Sequence, residues 1–444
     1  LIAEFGLQIA DSKIHYGAHS SALLNSAIRI PQSEIAKPSL TVGLLSEVLL
    51  QIEPLENEQM RVLRIAHASL TPALRQRERS IARLYPDVEL EVITTRRWRE
   101  AEMEVDALPD DLFPVSMART YISKHIQLFA YDPRPIIKAL RRHRPHLIDI
   151  NHEPFSVACA ELLTLCNWFA PQASIVLQTC QNIFKNYPPP FNLFERRALK
   201  RVDAIHVCSE TVREMLRAKG FEKPIHIVPF GVNTEAFNFR PFPEPTGEPL
   251  TIGYVGRMLP GKGLNILVDA LKMIAGESWK LLVVGDGPER QDFERRLAAA
   301  SLSERAKFTG AISFEKVPAY FQDLDVLVIP TETTDRIREQ FGRVIVEAMA
   351  TGVPVIGSTC GAIPEVIADA GLVFTERNAS ELADALRRML TDHELRRGFA
   401  RTGRPHVEQN YSYERVAEKT YELYQYVLQG NEKVTVNPRF ELAA

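Results

Sequence analysis

The chain has 444 residues, 45% of them hydrophobic and 25% charged, which suits a globular protein of two domains rather than one core. No apolar run approaches the roughly eighteen residues of a membrane span, and five cysteines without a C-x-x-C pair argue against a disulfide framework or a structural zinc, so a reducing, cytoplasmic setting is expected. The net charge of −3 hides an asymmetry: residues 60–236 carry 25 Lys+Arg against 20 Asp+Glu, and the remainder 28 against 36, so the first half is either a solvated basic face or suited to an anionic acceptor or an acidic membrane surface.

Residues 1–59 show little periodicity and no signal-peptide pattern, and read as a poorly ordered or accessory extension, in which "LTVGLLSEVLLQI" could form a helix. From Met60 the pattern becomes regular. "VLRIAHA", "VELEVIT", "HLIDINH", "ASIVLQTC", "DAIHVCS" and "PIHIVPFG" are short apolar strands with helical stretches such as "RQRERSIARLYP" and "PRPIIKALRRHRP" between them. Residues 60–237 are thus expected to form one domain and the Pro-rich 238–250 a linker. A second series follows over 251–410: strands "LTIGYVG", "WKLLVVGDG", "AKFTGAI", "LDVLVIPT", "VPVIGST" and "GLVF" alternate with helices such as "GLNILVDALKMIA" and "GRVIVEAMA". A closing helix at 411–430, expected to return to the first domain, and a tail at 431–444 complete the chain. Repeated β-α units give parallel sheets covered on both faces, here two doubly wound Rossmann-like domains around a cleft, with ligands expected beyond the carboxyl ends of the strands.

"GRMLPGKG", residues 256–263, satisfies G-x-x-x-x-G-K with Gly256, Gly261 and Lys262, but Gly263 replaces the Ser or Thr that would hold magnesium in a triphosphate loop. Pro260 also removes one cradle N–H. The alternative to a nucleotide triphosphatase is a metal-free anion grip: Arg257 and Lys262 place two cations on a loop entering a helix, a setting suited to a diphosphate. Two solvated cations at a turn is the third reading.

The stretch Glu339 to Ile367, "EQFGRVIVEAMATGVPVIGSTCGAIPEVI", separates Glu339 and Glu347 by seven residues. Gly342 should interrupt the chain before a helix, leaving Glu339 in the loop and Glu347 inside the helix, with free N–H groups around Phe341, Gly342 and Arg343 directed at an anion. Glu347 could accept hydrogen bonds from a ribose diol and Glu339 from sugar hydroxyls.

These residues resemble the signature of the GT-B retaining glycosyltransferases of the group 1, family 4 type, a group that includes sucrose-phosphate synthases and bacterial mannosyltransferases. The pattern E-x-F-G-x-x-x-x-E-A-M-A-x-G-x-P-V-I followed by G-x-x-P-E is matched at each fixed position, and "VVGDGPER", "FTGAIS" and "VIPT" stand in family order. The resemblance implies a GT-B fold and a nucleotide-sugar donor bound by Gly256, Arg257, Lys262, Glu339, Phe341, Gly342, Arg343 and Glu347. It implies transfer with retention, no metal and no cofactor, with Arg257, Lys262, Glu339 and His152 in catalytic positions. The expected partners are that donor and a sugar, lipid-linked or small-molecule acceptor, with possible peripheral contact to an acidic membrane and no nucleic acid. "DLD" at 323–325 precedes an apolar strand and is expected to be structural.

The acceptor side matches less closely. His152 lies in "DINHEPFSVACAELL" after a strand, either near the transferred sugar or bonded to backbone, with Glu153 a candidate helix-start acid. Gln181 and Asn182 lead towards a basic helix with Arg196, Arg197, Lys200 and Arg201, suited to anionic acceptors or simply solvated. A Gly-Gly pair common in the family is replaced by "SLTPAL" at 69–74, which puts a donor contact from that loop in doubt. A GT-B epimerase or phosphorylase and a non-catalytic nucleotide-sugar-binding protein share the same expectations.

Overall fold

Strands buried on both faces demand a sheet covered on both sides, and the chain builds two of them. A computed structural model describes residues 59–100, 103–122, 127–242 and 247–430; the expected helix within 1–59, part of the linker and the tail lie outside these. The first sheet is parallel, with β1 (Met60–Ala66), β2 (Val88–Thr95), β3 (Val115–Ala118), β4 (Leu147–Asn151), β5 (Ser174–Thr179), β6 (Ala204–Val207) and β7 (Ile225–Ile227) in the order β7-β6-β5-β4-β1-β2-β3. The second is also parallel, with β8 (Leu250–Val255), β9 (Trp279–Val284), β10 (Ala306–Phe308), β11 (Val326–Ile329), β12 (Val355–Ser358) and β13 (Gly371–Phe374) in the order β10-β9-β8-β11-β12-β13.

Each order reverses once. In the first sheet the switch lies between β1 and β4, where Ala66 pairs with Asn151, so His67 and His152 emerge side by side. In the second it lies between β8 and β11, paired through Gly253 and Leu327, from which the loops starting at Gly256 and Pro330 emerge. Such reversals open the crevice in which α/β sheets bind ligands.

The helices that matter for the site are α1 (Gln76–Leu84), α2 (Leu264–Met273), α3 (Arg343–Thr351), α4 (His393–Asn410) and α5 (Tyr413–Gln429). Helix α5 starts at Ser412, whose side chain accepts from Arg415 N–H, and then packs on the first lobe. Tyr421 stacks on Tyr85 at 3.9 Å between ring centroids, and Tyr424 Oη donates to Asp149 at 2.7 Å. Asp149 is fully buried and also meets Arg64 at 2.6 Å, Arg77 at 3.3 Å and His206 at 3.2 Å. Glu78 balances the second arginine, at 2.7 Å from Arg77. Charges this deep persist only when paired.

Among the described elements, α4, the edge strand β3 and two antiparallel pairs, Arg97–Glu100 with Met103–Asp106 and Thr120–Tyr121 with Ala130–Tyr131, had no counterpart in the sequence reading. Among the described residues no helix is long and apolar enough to cross a membrane.

Candidate functional site

Strand β8 runs out at Val255, and the loop beyond it is stitched to the loop after β9. Gly256 N–H donates to Val284 O at 2.9 Å, and Met258 N–H to Asp286 O at 3.0 Å. Gly263 then caps α2 at φ 68°, and a Cβ placed there would lie 1.8 Å from Pro330 O. Only glycine fits this backbone and this approach. The Ser or Thr side chain that holds magnesium in a triphosphate loop has no room at this position. Lys262 reaches across to Glu339, with Nζ 2.6 Å from the carboxylate. Arg257 is exposed, its carbonyl accepting from Tyr254 Oη at 2.9 Å, and it forms no ion pair among the described residues.

Gly342 caps α3 at φ 82°. In the first turn of α3, Ile345 N–H donates to Gly342 O at 2.9 Å, while the amides of Arg343 and Val344 before it have no acceptor within the helix. Before the cap, Glu339 is fixed by its carbonyl, which accepts from Ala362 N–H at 3.0 Å and from Asn182 Nδ2 at 2.9 Å. Gly361 packs so closely here that a Cβ would sit 2.1 Å from the same oxygen. Phe341 is buried, edge-on to Phe230 at 5.6 Å and to Tyr411 at 5.4 Å. Glu347 is only 5% exposed. Burial pushes its carboxyl above the usual range, and Arg343, at 3.9 Å, offsets this only in part. Arg343 itself stacks over Phe314 at 5.3 Å.

On the facing lobe His152 is buried and 2.9 Å from Tyr131 Oη, not bonded to backbone through that nitrogen. Its ring lies 5.0 Å from that of His67, which meets the Trp98 indole edge-on at 4.9 Å. Burial holds His152 well below the ordinary imidazole range and His67 down to about 4, so both rings are neutral at pH 7. His67 Nδ1 is buried without a hydrogen-bond partner among the described residues. The sequence reading missed His67, although it follows β1 just as His152 follows β4. Glu153 is not a helix-start acid: Ser156 caps Val157–Phe169, while Glu153 bonds Thr179 Oγ1 and Cys180 N–H.

The two lobes touch through these same loops. Ser209 Oγ donates to Gln340 O at 2.8 Å, and Glu210 N–H to the Glu365 carboxylate at 3.0 Å. Between the lobes lie a cavity of about 200 Å³ lined by Arg64, Asn151, Gln178 and Arg343, and one of about 420 Å³ lined by Asn182, Thr333, Arg338 and Glu376. Asp325 of the D-L-D triplet is engaged elsewhere, accepting from Thr251 N–H at 2.8 Å. Arg196, Arg197 and Lys200 are exposed on the helix Phe191–Arg201.

Residues 236–406 match the family described as Glycosyl transferases group 1, and residues 82–236 the one described as Glycosyltransferase Family 4. The chain belongs to the group 1 glycosyltransferases. The chain is 31% identical over 234 residues to the 2-deoxystreptamine glucosyltransferase of Streptomyces kanamyceticus, covering 49% of the chain and 59% of that protein. It is 29% identical over 228 residues to a GDP-mannose-dependent alpha-(1-6)-phosphatidylinositol monomannoside mannosyltransferase of Mycobacterium tuberculosis, covering 48% and 59%. The match thus spans little more than half the length of these curated relatives. In fold the chain is similar to the sucrose-phosphate synthase of Thermosynechococcus elongatus, with a TM-score of 0.61 over 84% of this chain and 100% of that one at 20% identity. Two Rossmann-like lobes in the GT-B arrangement are what they share.

Proposed function

We propose that this chain transfers a sugar from a nucleoside diphosphate sugar to an acceptor hydroxyl, with retention at the anomeric carbon and without a metal ion. The meeting of Lys262 and Glu339 at 2.6 Å, beside the first turn of α3, carries this reading. A cation, an acceptor carboxylate and open helix amides converge there. A diphosphate brought to this point competes with Glu339 for the ammonium and takes the amides as further donors. The released Glu339 carboxylate then serves sugar hydroxyls, and Glu347 is a buried acceptor suited to a ribose diol.

In the transfer, the bond from the anomeric carbon to the diphosphate oxygen breaks. The acceptor oxygen bonds to the same face, and its proton passes to the leaving diphosphate. Lys262, Arg257 and the α3 amides stabilise the charge gathered on that leaving group. His152 and His67, both neutral, can orient hydroxyls without adding charge. The GDP-mannose dependence in the name of the mycobacterial relative favours a nucleotide-sugar donor here too.

Incubation with a panel of nucleotide sugars and acceptors in the presence of a chelator, read by NMR of the product, tests the reading. A product with the donor's anomeric configuration is expected, and Lys262→Ala should slow turnover by about a hundredfold. An inverted product removes retention, and dependence on added divalent metal removes the metal-free clause. Wild-type turnover in Lys262→Ala removes the site itself.

A further inference from the structure

Three loops of the second lobe, following β11, β12 and β13, converge on the main chain of Glu339. Glu339 N–H donates to Cys360 Sγ at 3.4 Å, and Glu339 O accepts from Ala362 N–H at 3.0 Å. Residues 360 and 362 thus grip both main-chain polar atoms of Glu339. Gly361 lies between them at φ 59°, where a Cβ would strike Glu339 O. Asn182 and Ser209 reach this segment from the first lobe. Cys360 and Ala362 belong to the same lobe as Glu339, so their grip does not depend on contact between the lobes.

The sulfur is itself held in place. Thr333 Oγ1 donates to Cys360 Sγ at 3.4 Å. Thr333 is pinned at both ends of its main chain, its N–H donating to the Glu376 carboxylate and its carbonyl accepting from Arg377 Nη2. Arg377 keeps a left-handed backbone at φ 67° and donates through Nε to Glu332 at 2.8 Å. A residue other than glycine holds that conformation only where its surroundings fix it. A line of contacts therefore runs from the loop after β13, through Thr333 and Cys360, to the Glu339 amide. Cys360 is fully buried, and burial pushes its thiol above the ordinary range, with the Glu376 and Glu339 charges adding to the rise. The thiol stays uncharged near pH 7, so it accepts hydrogen bonds without setting a second negative charge beside the Glu339 carboxylate. At 3.4 Å both contacts are longer than hydrogen bonds to oxygen run, and they suit the larger sulfur atom.

We infer that Cys360 is a positioning residue for recognition of the nucleotide sugar: its sulfur, held by Thr333, presets Glu339 while the lobes are still apart. The consequence for turnover rests on the proposed sugar contact of Glu339; the grip on the Glu339 amide does not.

Hydrogen–deuterium exchange of the ligand-free full chain, resolved at the Glu339 amide, tests the grip. Cys360→Ala should speed exchange there about tenfold. Cys360→Ser, which keeps an acceptor of shorter reach, should recover part of that loss. Cys166→Ala removes a buried thiol from the helix Val157–Phe169 of the first lobe and should leave the Glu339 amide at its wild-type rate. With UDP-glucose or GDP-mannose, whichever the wild type turns over, Cys360→Ala should lower kcat about tenfold. Its affinity for UDP or GDP alone, measured by calorimetry, should stay at the wild-type value. The inference is overturned if the Glu339 amide exchanges in Cys360→Ala as it does in the wild type, or if Cys166→Ala speeds it equally. It is also overturned if Cys360→Ser is no better than Cys360→Ala, or if nucleotide affinity falls as far as kcat, which marks a general loss of structure. A wild type that transfers from no nucleotide sugar overturns the reading of the site, and the exchange rates still decide the grip.

Discussion

Glu347 sits where folding and the proposed ribose contact make opposite demands. Its carboxyl is buried and raised above the ordinary glutamate range, first by desolvation, with only Arg343 acting against it. From the ordinary value up to the raised one, the folded chain holds a proton that the unfolded chain has released, so stability falls as pH rises through that window. Glu347→Gln removes this loss and should stabilise the ligand-free protein at pH 7 to 8 by about 1 kcal/mol, seen as a higher melting temperature and a flatter pH profile. The same change should weaken UDP or GDP by about tenfold in calorimetry, because hydrogen bonds to a charged acceptor are the stronger ones. Equal affinity in the variant excludes the ribose role. This residue was legible in the sequence, since it sits in a helix at a fixed distance from a glycine break. Gly263 was legible only as a departure from a pattern. What forbids a side chain there is Pro330 O, 67 positions along the chain, and no local signal encodes that approach. His67 gave no signal of its own, because a single histidine after a strand is common.

Among the elements, the two C-terminal helices show opposite limits of sequence reading. Helix α5 has a capping serine and a clear apolar stripe, and it was expected. Helix α4 was not, because Gly398, Gly403 and Pro405 all read as breakers. Tertiary contacts override them. Arg404 donates to Phe237 O at 3.0 Å, Ala350 O at 2.8 Å and Thr234 O at 3.2 Å, and Gly403 lets α4 lie directly on Met349 of α3. The helix that carries Glu347 is thereby braced from behind. Helix α5 is anchored in the first lobe by Tyr424, which supplies one of the donors around the buried Asp149. Tyr424→Phe removes that donor and leaves the carboxylate less satisfied, at an expected cost of about 2 kcal/mol. A lower urea midpoint with an unchanged slope is the expected reading, with nucleotide affinity kept. An unchanged midpoint means that Arg64, Arg77 and His206 satisfy Asp149 without Tyr424.

For the molecule as a whole, alternation of strands and helices was enough to foresee two parallel sheets with their carboxyl ends towards a cleft. How the two lobes grip each other was not foreseeable, because two of the bonds between them end on main-chain oxygens. Asn182 Nδ2 donates to Glu339 O and Ser209 Oγ to Gln340 O. Both bonds end on the loop that holds the Glu339 carboxylate against Lys262, so lobe contact and the geometry of the proposed donor site are mechanically one feature. Each such bond contributes about 1 kcal/mol to the closed arrangement. Removing both in Asn182→Ala/Ser209→Ala should shift the ratio of closed to open molecules by about thirtyfold. Small-angle X-ray scattering should then show a larger radius of gyration, and nucleotide binding should weaken in parallel, since a ligand that needs the closed loop pays for closing it. Gln340→Ala is the matching control, because it keeps the main-chain oxygen and should leave both readouts unchanged. If the double variant scatters like the wild type while nucleotide affinity falls, the two bonds act only by positioning Glu339. If both readouts stay at wild-type values, the lobes are held together by the Phe230, Phe341 and Tyr411 ring contacts instead of by the loop.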